Sequence, residues 1–195
     1  MLETLLALMG GYALGSIPFA YVVTQAFGLG DIRQVGSGNV GATNVLRTGN
    51  KLATALTFIG DVGKGVVAVL IAKQFGEWPA MAAALGAFTG HIFPVWLNFK
   101  GGKGVATCLG ILAVLSWPVA ALSFATWLAT VAISRLSSLA ALVAAVAAPI
   151  YMTFFGSGLY AAGSAILAAL VFVTHRENIR RLLAGQEPRI GEKKN

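Results

Sequence analysis

Two polar, glycine-rich segments lie between apolar stretches of the chain, and the first carries several phosphate-binding residue types. It runs Val35-Gly36-Ser37-Gly38-Asn39-Val40-Gly41-Ala42-Thr43-Asn44-Val45-Leu46-Arg47. Glycine lets backbone N–H groups turn toward an anion, and a helix that begins nearby adds a favourable dipole. Neutral donors come from Ser37, Asn39, Thr43 and Asn44, and the Arg47 guanidinium suits a phosphate. The segment predicts an anion cradle, with a tight polar turn between two spans as the alternative.

The glycines Gly36, Gly38 and Gly41 also have the G-x-G-x-x-G spacing of dinucleotide-binding folds. That pattern is specific only when a β-strand precedes it and a βαβ unit surrounds it. Neither condition is met here, so a Rossmann fold is disfavoured.

The second polar segment runs Phe99-Lys100-Gly101-Gly102-Lys103-Gly104-Val105-Ala106-Thr107. No Ser or Thr follows Lys103, so it is not a Walker loop. It is still a glycine-rich helix start that carries lysine, which suits a phosphate. For Lys103, set between Gly102 and Gly104, we favour binding; for Lys100 we favour an ordinary positive loop residue.

Two charged residues fall inside a predicted span. Asp61 and Lys64 are three residues apart, so they can pair on one helix face. A charge at the bilayer centre costs about 2.5–3.5 kcal/mol on insertion scales, so such residues face a partner or a cavity. A structural ion pair and a lining of the site fit the sequence equally well.

Three further polar residues lie at predicted span ends or within a span. Ser138 suits either a helix cap or a substrate contact. His175, at a predicted membrane edge, suits a general base or a hydrogen-bond donor. His91, inside a predicted span, better fits a structural role.

The composition indicates an integral membrane protein. Hydrophobic residues make up 57% of the 195 residues and charged residues 11%, whereas soluble domains have about a quarter charged. The net charge of +7 follows mainly from the positive-inside bias and from anionic lipid, so nucleic acid is not expected as a partner. No nucleophile elbow, metal-spaced His/Cys cluster or paired-carboxylate pattern occurs, which disfavours covalent and metal catalysis and predicts neither a metal nor a cofactor.

The basic residues predict the membrane topology. Twelve of the fourteen Lys and Arg fall in four polar regions, and cytoplasmic loops are enriched in these residues. Placing the four regions inside predicts an all-α polytopic fold of about seven transmembrane helices in a single domain, 1–195, with the amino terminus outside and the carboxyl terminus cytoplasmic. The predicted spans are 4–27, 53–73, 79–97, 104–116, 118–134, 138–154 and 158–174. Residues 104–134 must cross twice or re-enter, turning at Trp117-Pro118, and each leg is short of the roughly 20 residues of a comfortable span.

Glycine also predicts helix packing. Gly11, Gly15, Gly86 and Gly90 have the small-xxx-small spacing that lets membrane helices approach closely.

Three segments together resemble one family. Gly36-Ser37-Gly38-Asn39-x-Gly41-Ala42-Thr43-Asn44, Phe99–Thr107 and His175-Arg176-Glu177-Asn178-Ile179-x-Arg181-Leu182 are similar to the signature loops of the bacterial acyl-phosphate-dependent glycerol-3-phosphate acyltransferases (PlsY). The resemblance implies transfer of a fatty acyl group from acyl phosphate to the 1-hydroxyl of sn-glycerol 3-phosphate. The products would be 1-acyl-glycerol 3-phosphate (lysophosphatidic acid) and phosphate, in the first step of phospholipid biosynthesis. It implies a multi-pass protein of the bacterial inner (plasma) membrane whose site faces the cytoplasm, and we expect a monomer.

The same resemblance implies the site residues. Those expected to act in catalysis are Ser37, Lys103, His175 and Asn178. Those expected to bind substrate are Gly36, Gly38, Asn39, Gly41, Thr43, Asn44, Arg47, Lys64, Gly102, Gly104, Thr107 and Ser138. Acyl phosphate is expected on Ser37, Gly38 and Asn39. Glycerol 3-phosphate is expected on Arg47, Lys103, Ser138, His175 and Asn178.

The chemistry of an acyl phosphate agrees with the residues present. It is a mixed anhydride with a good leaving group, so direct attack by a hydroxyl needs no enzyme nucleophile. The base is either His175 or the substrate phosphate, and which loop holds which phosphate stays open. The competing interpretation is a transporter or flippase for a phosphorylated solute or lipid. A transporter needs polar groups reachable from both faces, and this sequence places almost none outside.

Overall fold

The computed structural model describes residues 1–191. Lys193 and Lys194, two of the basic residues counted for the topology, lie outside the described residues. Throughout that range the regular secondary structure is helical, which confirms the all-α prediction. The α-helices are α1 Leu2–Gly15, α2 Phe19–Ala26, α3 Ala42–Val45, α4 Lys51–Lys73, α5 Glu77–Ile92, α6 Val105–Leu115, α7 Trp117–Ser134, α8 Ser137–Phe155, α9 Gly158–Thr174 and α10 Arg176–Leu183. Short 3₁₀ turns occupy Ile32–Gln34, Leu46–Thr48 and Val95–Leu97.

Five helical stretches between residues 1 and 191 are long and apolar enough to cross a membrane: Leu2–Ala26, Lys51–Lys73, Glu77–Leu97, Trp117–Ser134 and Ser137–Phe155. A sixth is formed if α9 and α10, bent by 64° at their junction, are taken as one span. Helix α6 has 11 residues, about 16 Å at 1.5 Å per residue, or half of a typical hydrocarbon core. The predicted total of seven spans depends on this short helix and, like the positions of the termini, stays a prediction.

The first span is broken, at the position where Pro18 predicts a kink. Helix α1 ends at Gly15 and α2 begins at Phe19. Proline has no N–H to donate and its ring clashes with a preceding helical carbonyl, so the helix does not continue through Ser16-Ile17-Pro18. The Tyr12 carbonyl at this end accepts from the Ser16 backbone N–H (2.9 Å) and hydroxyl (2.7 Å).

The chain forms two compact units, Met1–Leu115 and Ser116–Asn195. In the first unit, α1 packs closely against α5, as the small-residue spacing predicts. A Cβ on Gly11 or Gly15 would collide with the carbonyls of Ala83 and Ala87, and one on Gly86 or Gly90 would collide with those of Leu8 and Tyr12. The paired numbers rise together, so α1 and α5 run parallel, as spans one and three of the predicted topology must.

Helices α4 and α6 of the same unit also lie in backbone contact. A Cβ on Gly65 would lie 2.6 Å from the Thr107 carbonyl oxygen, and one on Gly110 would meet the Val62 carbonyl. At the end of α4, Lys73 Nζ donates to the Val114 carbonyl at 2.7 Å. From Gly65 beside Thr107 to Lys73 beside Val114 the residue numbers of both helices rise together, so α4 and α6 point the same way.

The second unit contains α7 to α10. Helices α7 and α8 form a hairpin that Arg135 closes in a left-handed conformation (φ 60°), and the Ser116 hydroxyl donates to the Phe155 carbonyl at 2.8 Å at its other end. Helix α8 packs on α9, and α10 contacts both. The helix break at Ser116 agrees with the predicted turn at Trp117-Pro118. The prediction of a single domain over 1–195 stays a prediction.

Candidate active site

One buried amide organises the first glycine-rich segment. Asn44, in α3, donates from Nδ2 to the carbonyls of Ile32 (3.1 Å) and Val35 (2.9 Å). Its Oδ1 accepts from the Ser37 backbone N–H (3.2 Å) and from Arg47 Nη1 (3.2 Å). Because both donors and the acceptor are engaged, Asn44 shapes the loop that presents Ser37 and Arg47.

Glycine is required at two points of this segment. Gly36 (φ 56°) and Gly38 (φ 70°) lie in the left-handed region, where a side chain is strained. A Cβ on Gly36 would also lie 2.6 Å from Asn44 Oδ1 and 2.7 Å from Arg47 Cδ. The Arg47 side chain therefore lies across Gly36, which brings a guanidinium to the glycine turn.

The second glycine-rich segment folds back onto the end of α5. Gly101 N–H donates to the Ile92 carbonyl and Gly102 N–H to the His91 carbonyl, both at 3.1 Å. Gly104 (φ 83°) lies against the Phe88 ring, where a Cβ would collide. The segment thus leads directly into α6, with half-buried Lys103 at its start.

The two segments adjoin each other in the first unit. A Cβ on Gly102 would meet the Val40 carbonyl oxygen as well as His91 Nε2. The two predicted phosphate cradles are therefore neighbours, and each carries a basic residue.

Beneath them lies a buried group of polar side chains. Lys64 Nζ lies 2.8 Å from Asp61 Oδ1 and donates to the Ile17 carbonyl at 2.9 Å, which confirms that the two charged residues can pair. His91 Nδ1 lies 3.5 Å from Asp61 Oδ1 and 3.2 Å from Thr107 Oγ1. A cavity of about 10 Å³, the size of one water, borders Asp61, Lys64 and His91. No sequence motif indicates that His91 lies beside Gly102, because the contact joins residues on separate elements.

The second unit brings Ser138 and Asn178 to one carboxylate, that of Glu187. Asn178 Nδ2 donates to Glu187 Oε1 and Arg181 Nε donates to Oε2, both at 2.6 Å. The buried Ser138 hydroxyl approaches the same carboxylate without ordinary hydrogen-bond geometry. Sequence reasoning missed Glu187, since it stands alone after the last helix and no motif marks it.

Burial raises the pKa of Glu187, but the groups around it act in the opposite direction and outweigh burial. Ser138, Asn178 and Arg181 together hold the pKa below the ordinary glutamate value. Glu187 is therefore an anion held by donors at neutral pH. The surrounding donors are the types that would also suit a phosphate oxygen.

His175 lies at the junction of α9 and α10 and is buried. Its Nδ1 lies 2.8 Å from the Val171 carbonyl oxygen, and a carbonyl can only accept, so Nδ1 carries the proton. In the neutral ring Nε2 is then the nitrogen with a lone pair, as a general base requires.

The structure places the remaining predicted residues as follows. Ser37, Thr43 and Arg47 are exposed, whereas Asn39 and Gly41 are half-buried. Gly41 precedes α3 as its N-cap. The structure brings the first-unit residues into two adjoining loops and brings Ser138 and Asn178 together in the second unit.

Comparison with known proteins agrees with this architecture over almost the whole chain. The family model described as glycerol-3-phosphate acyltransferase matches residues 5–185. A glycerol-3-phosphate acyltransferase of Cereibacter sphaeroides is 58% identical over 184 residues, covering 94% of this chain and 88% of that protein. One of Caulobacter vibrioides is 55% identical over 193 residues, covering 97% and 88%.

Two solved structures share the fold. The crystal structure of PlsY, an integral membrane glycerol 3-phosphate acyltransferase, in its glycerol 3-phosphate form matches with a TM-score of 0.92 at 40% identity, over 96% of both chains. The lysophosphatidic acid form of PlsY matches with a TM-score of 0.90 at 38% identity, over 96% of this chain and 95% of that one.

Proposed function

Because this chain belongs to the glycerol-3-phosphate acyltransferase family, we propose that it transfers a fatty acyl group from acyl phosphate to the 1-hydroxyl of sn-glycerol 3-phosphate. The observation that carries the proposal is the contact between the two glycine-rich segments, where Gly102 meets the Val40 carbonyl. Both substrates carry phosphate, and two adjoining basic cradles suit two phosphates held side by side. Apolar helix faces, such as the exposed Leu122, Phe124 and Leu128 of α7, suit the acyl chain and the bilayer.

The reaction is a direct displacement. The hydroxyl oxygen forms a bond to the acyl carbon, the bond from that carbon to the phosphate oxygen breaks, and inorganic phosphate leaves. Backbone N–H groups of the glycine turn that holds Ser37, Gly38 and Asn39 stabilise the leaving phosphate and the developing oxyanion. Arg47 and Lys103 hold the phosphate of glycerol 3-phosphate. No acyl-enzyme forms, because the mixed anhydride is already activated.

The hydroxyl proton must go to a base. His175 is proposed for this role, with Nδ1–H fixed on the Val171 carbonyl and Nε2 as the accepting nitrogen. A substrate phosphate oxygen is the other acceptor available. Asn178 and Ser138 orient glycerol 3-phosphate. The enzyme acts as a monomer in the bacterial inner membrane, and its site faces the cytoplasm.

The test is phosphate release by purified protein in detergent with palmitoyl phosphate and glycerol 3-phosphate. Lys103→Ala is expected to abolish turnover while the protein still inserts and purifies, because it removes the cation of the second cradle. Lys100→Ala is the matched control, since Lys100 is exposed on the same segment, and it should retain near-normal activity.

Absence of phosphate release by folded wild-type protein would refute the acyl transfer. Near-normal activity of Lys103→Ala would remove Lys103 from the site. Uptake of a phosphorylated solute into proteoliposomes would instead support the transporter.

A further inference from the structure

Four buried side chains of the first unit form a continuous chain of polar contacts, and two of them, Lys64 and Thr107, are among the residues expected to bind substrate. We name Asp61, Lys64, His91 and Thr107 the buried polar cluster. Their exposed fractions are 2%, 5%, 6% and 0%, so bulk solvent does not reach these side chains. The chain of contacts runs from the Ile17 carbonyl through Lys64, Asp61 and His91 to Thr107.

A buried ion pair is weak evidence for stability, because desolvation of both charges offsets their attraction. A buried ion pair does restrict side-chain orientation, because each charged group must stay within contact of its partner. The cluster therefore fixes the orientation of the His91 ring, with Asp61 on one side of Nδ1 and Thr107 on the other.

His91 contacts Gly102 of the second glycine-rich segment through both its backbone and its ring. Its carbonyl accepts the Gly102 N–H at 3.1 Å, and its ring stands where a Gly102 side chain would be. Thr107, which is hydrogen-bonded to the same ring, lies in the first turn of α6. One histidine thus connects the residues immediately before and shortly after Lys103.

The segment needs such support, because its backbone is strained. Asn98 (φ 50°) and Phe99 (φ 61°) are successive non-glycine residues in the left-handed region. Such conformations persist only when the surrounding structure holds them.

We propose that the buried polar cluster positions Lys103 for the phosphate of glycerol 3-phosphate, with His91 and Thr107 as positioning residues that act through the glycine-rich segment. This inference rests on the proposed function for its substrate. Displacement of a binding group by about 1 Å costs up to about a hundredfold in rate, so loosening the segment should be readily measurable.

The first experiment compares two isosteric Thr→Val substitutions, each of which removes a buried hydroxyl group. Thr107→Val breaks the contact with His91. Thr57→Val is the matched control, because Thr57 lies in α4, is fully buried and its hydroxyl makes no hydrogen bond within residues 1–191. Thr107→Val should raise KM for glycerol 3-phosphate about tenfold and leave KM for acyl phosphate within about twofold. Thr57→Val should change neither.

The second experiment tests the ring itself. His91→Asn retains a polar group near the position of Nδ1 but removes the ring beside Gly102, whereas His91→Gln keeps an amide that reaches toward Nε2. His91→Asn should show the larger rise in KM for glycerol 3-phosphate, and His91→Gln should recover part of it. The ion pair is tested with Asp61→Asn. That variant leaves the Lys64 ammonium group buried without a carboxylate, so where it does not fold, the double variant Asp61→Asn/Lys64→Met, which removes both charges, replaces it.

A readout independent of turnover is backbone hydrogen exchange of the peptide 99–104. Exchange should be faster in His91→Asn and Thr107→Val than in wild type and Thr57→Val, because the Gly101 and Gly102 N–H groups lose protection. Unchanged exchange, or equal rises in both KM values, would overturn the inference. If wild-type protein released no phosphate, the proposed function would fail, and the exchange measurement would still decide whether the cluster holds the segment.

Discussion

At the scale of single residues, Glu187 and Asn44 show how one polar side chain fixes a loop. Asn44 engages both donors and its acceptor within the first glycine-rich segment. Glu187 draws Asn178 and Arg181 together after the last helix. In each case one side chain holds in place neighbouring residues that are expected to bind substrate, Ser37 and Arg47 in the first case and Asn178 in the second.

Glu187 should make stability depend on pH. Its pKa in the folded protein is below the ordinary value, so its contribution is fully present above the ordinary glutamate pKa and is lost as the pH falls through the folded value. Glu187→Gln should therefore lower the thermal unfolding temperature at neutral pH, since hydrogen bonds to a charged group contribute about 1.5–3 kcal/mol. The difference from wild type should shrink as the pH is lowered into the acidic range.

The measurement is thermal unfolding in detergent across pH, with Glu177→Gln as the control. Glu177 is exposed and pairs with Arg176 and Arg180 at the surface, where ion pairs contribute little. A destabilisation by Glu187→Gln that persisted unchanged in acid would contradict the assignment.

Sequence reasoning was most successful where the decisive contact is local. The pairing of Asp61 with Lys64 depends only on helical spacing, and the structure confirms it at 2.8 Å. The contacts of His91 with Gly102 and of Asn178 with Glu187 could not be predicted in the same way, since each depends on how a chain segment folds back after a turn. The roles of the site residues in binding and catalysis stay predictions.

At the scale of helices, glycine sets the distance between neighbours. Gly65 lies against the Thr107 carbonyl, whereas a Cβ on Gly63 would have nothing within 4 Å. Both are in α4, two residues apart. Alanine substitutions at these two positions therefore separate the effect of helix packing from the higher helix propensity of alanine relative to glycine.

Gly65→Ala should destabilise the protein by about 1–3 kcal/mol, the usual cost of overpacking. Gly63→Ala should be neutral or slightly stabilising, because alanine is the better helix former. Thermal unfolding of the two purified variants checks this, and equal behaviour of the pair would exclude close α4–α6 packing in the membrane.

The apolar stretches of the sequence predict the positions of the long helices more accurately than the residues at which those helices begin and end. The predicted span 158–174 coincides with α9, and 53–73 differs from α4 only in its start. Helix α4 begins at Lys51 because the Asn50 side chain caps it, accepting from the Ala53 N–H at 2.9 Å, and hydropathy does not detect such a cap. The short helix α3 escaped prediction, since four residues carry no periodic signal.

At the scale of the whole molecule, the predicted topology places the α8–α9 turn outside and the end of α10 inside. Single cysteines at Gly158 and Gln186, each introduced into a Cys108→Ser background, test this. Cys108 is the one cysteine of the sequence, and Gly158 and Gln186 are both exposed. A membrane-impermeant thiol reagent should label Gly158→Cys in intact cells and Gln186→Cys only after permeabilisation.

Labelling of both positions from one side would contradict the odd number of crossings between the amino and carboxyl termini. It would imply that α9 does not cross the membrane.

The break in the first span has a consequence for how the protein is made. Lys64 donates to the Ile17 carbonyl across 47 residues of chain, so the broken segment cannot reach its finished form when it first leaves the ribosome. The Ile17 carbonyl can gain this donor only after α4 has been translated. Completion of the first span therefore depends on a residue that is translated later, in α4.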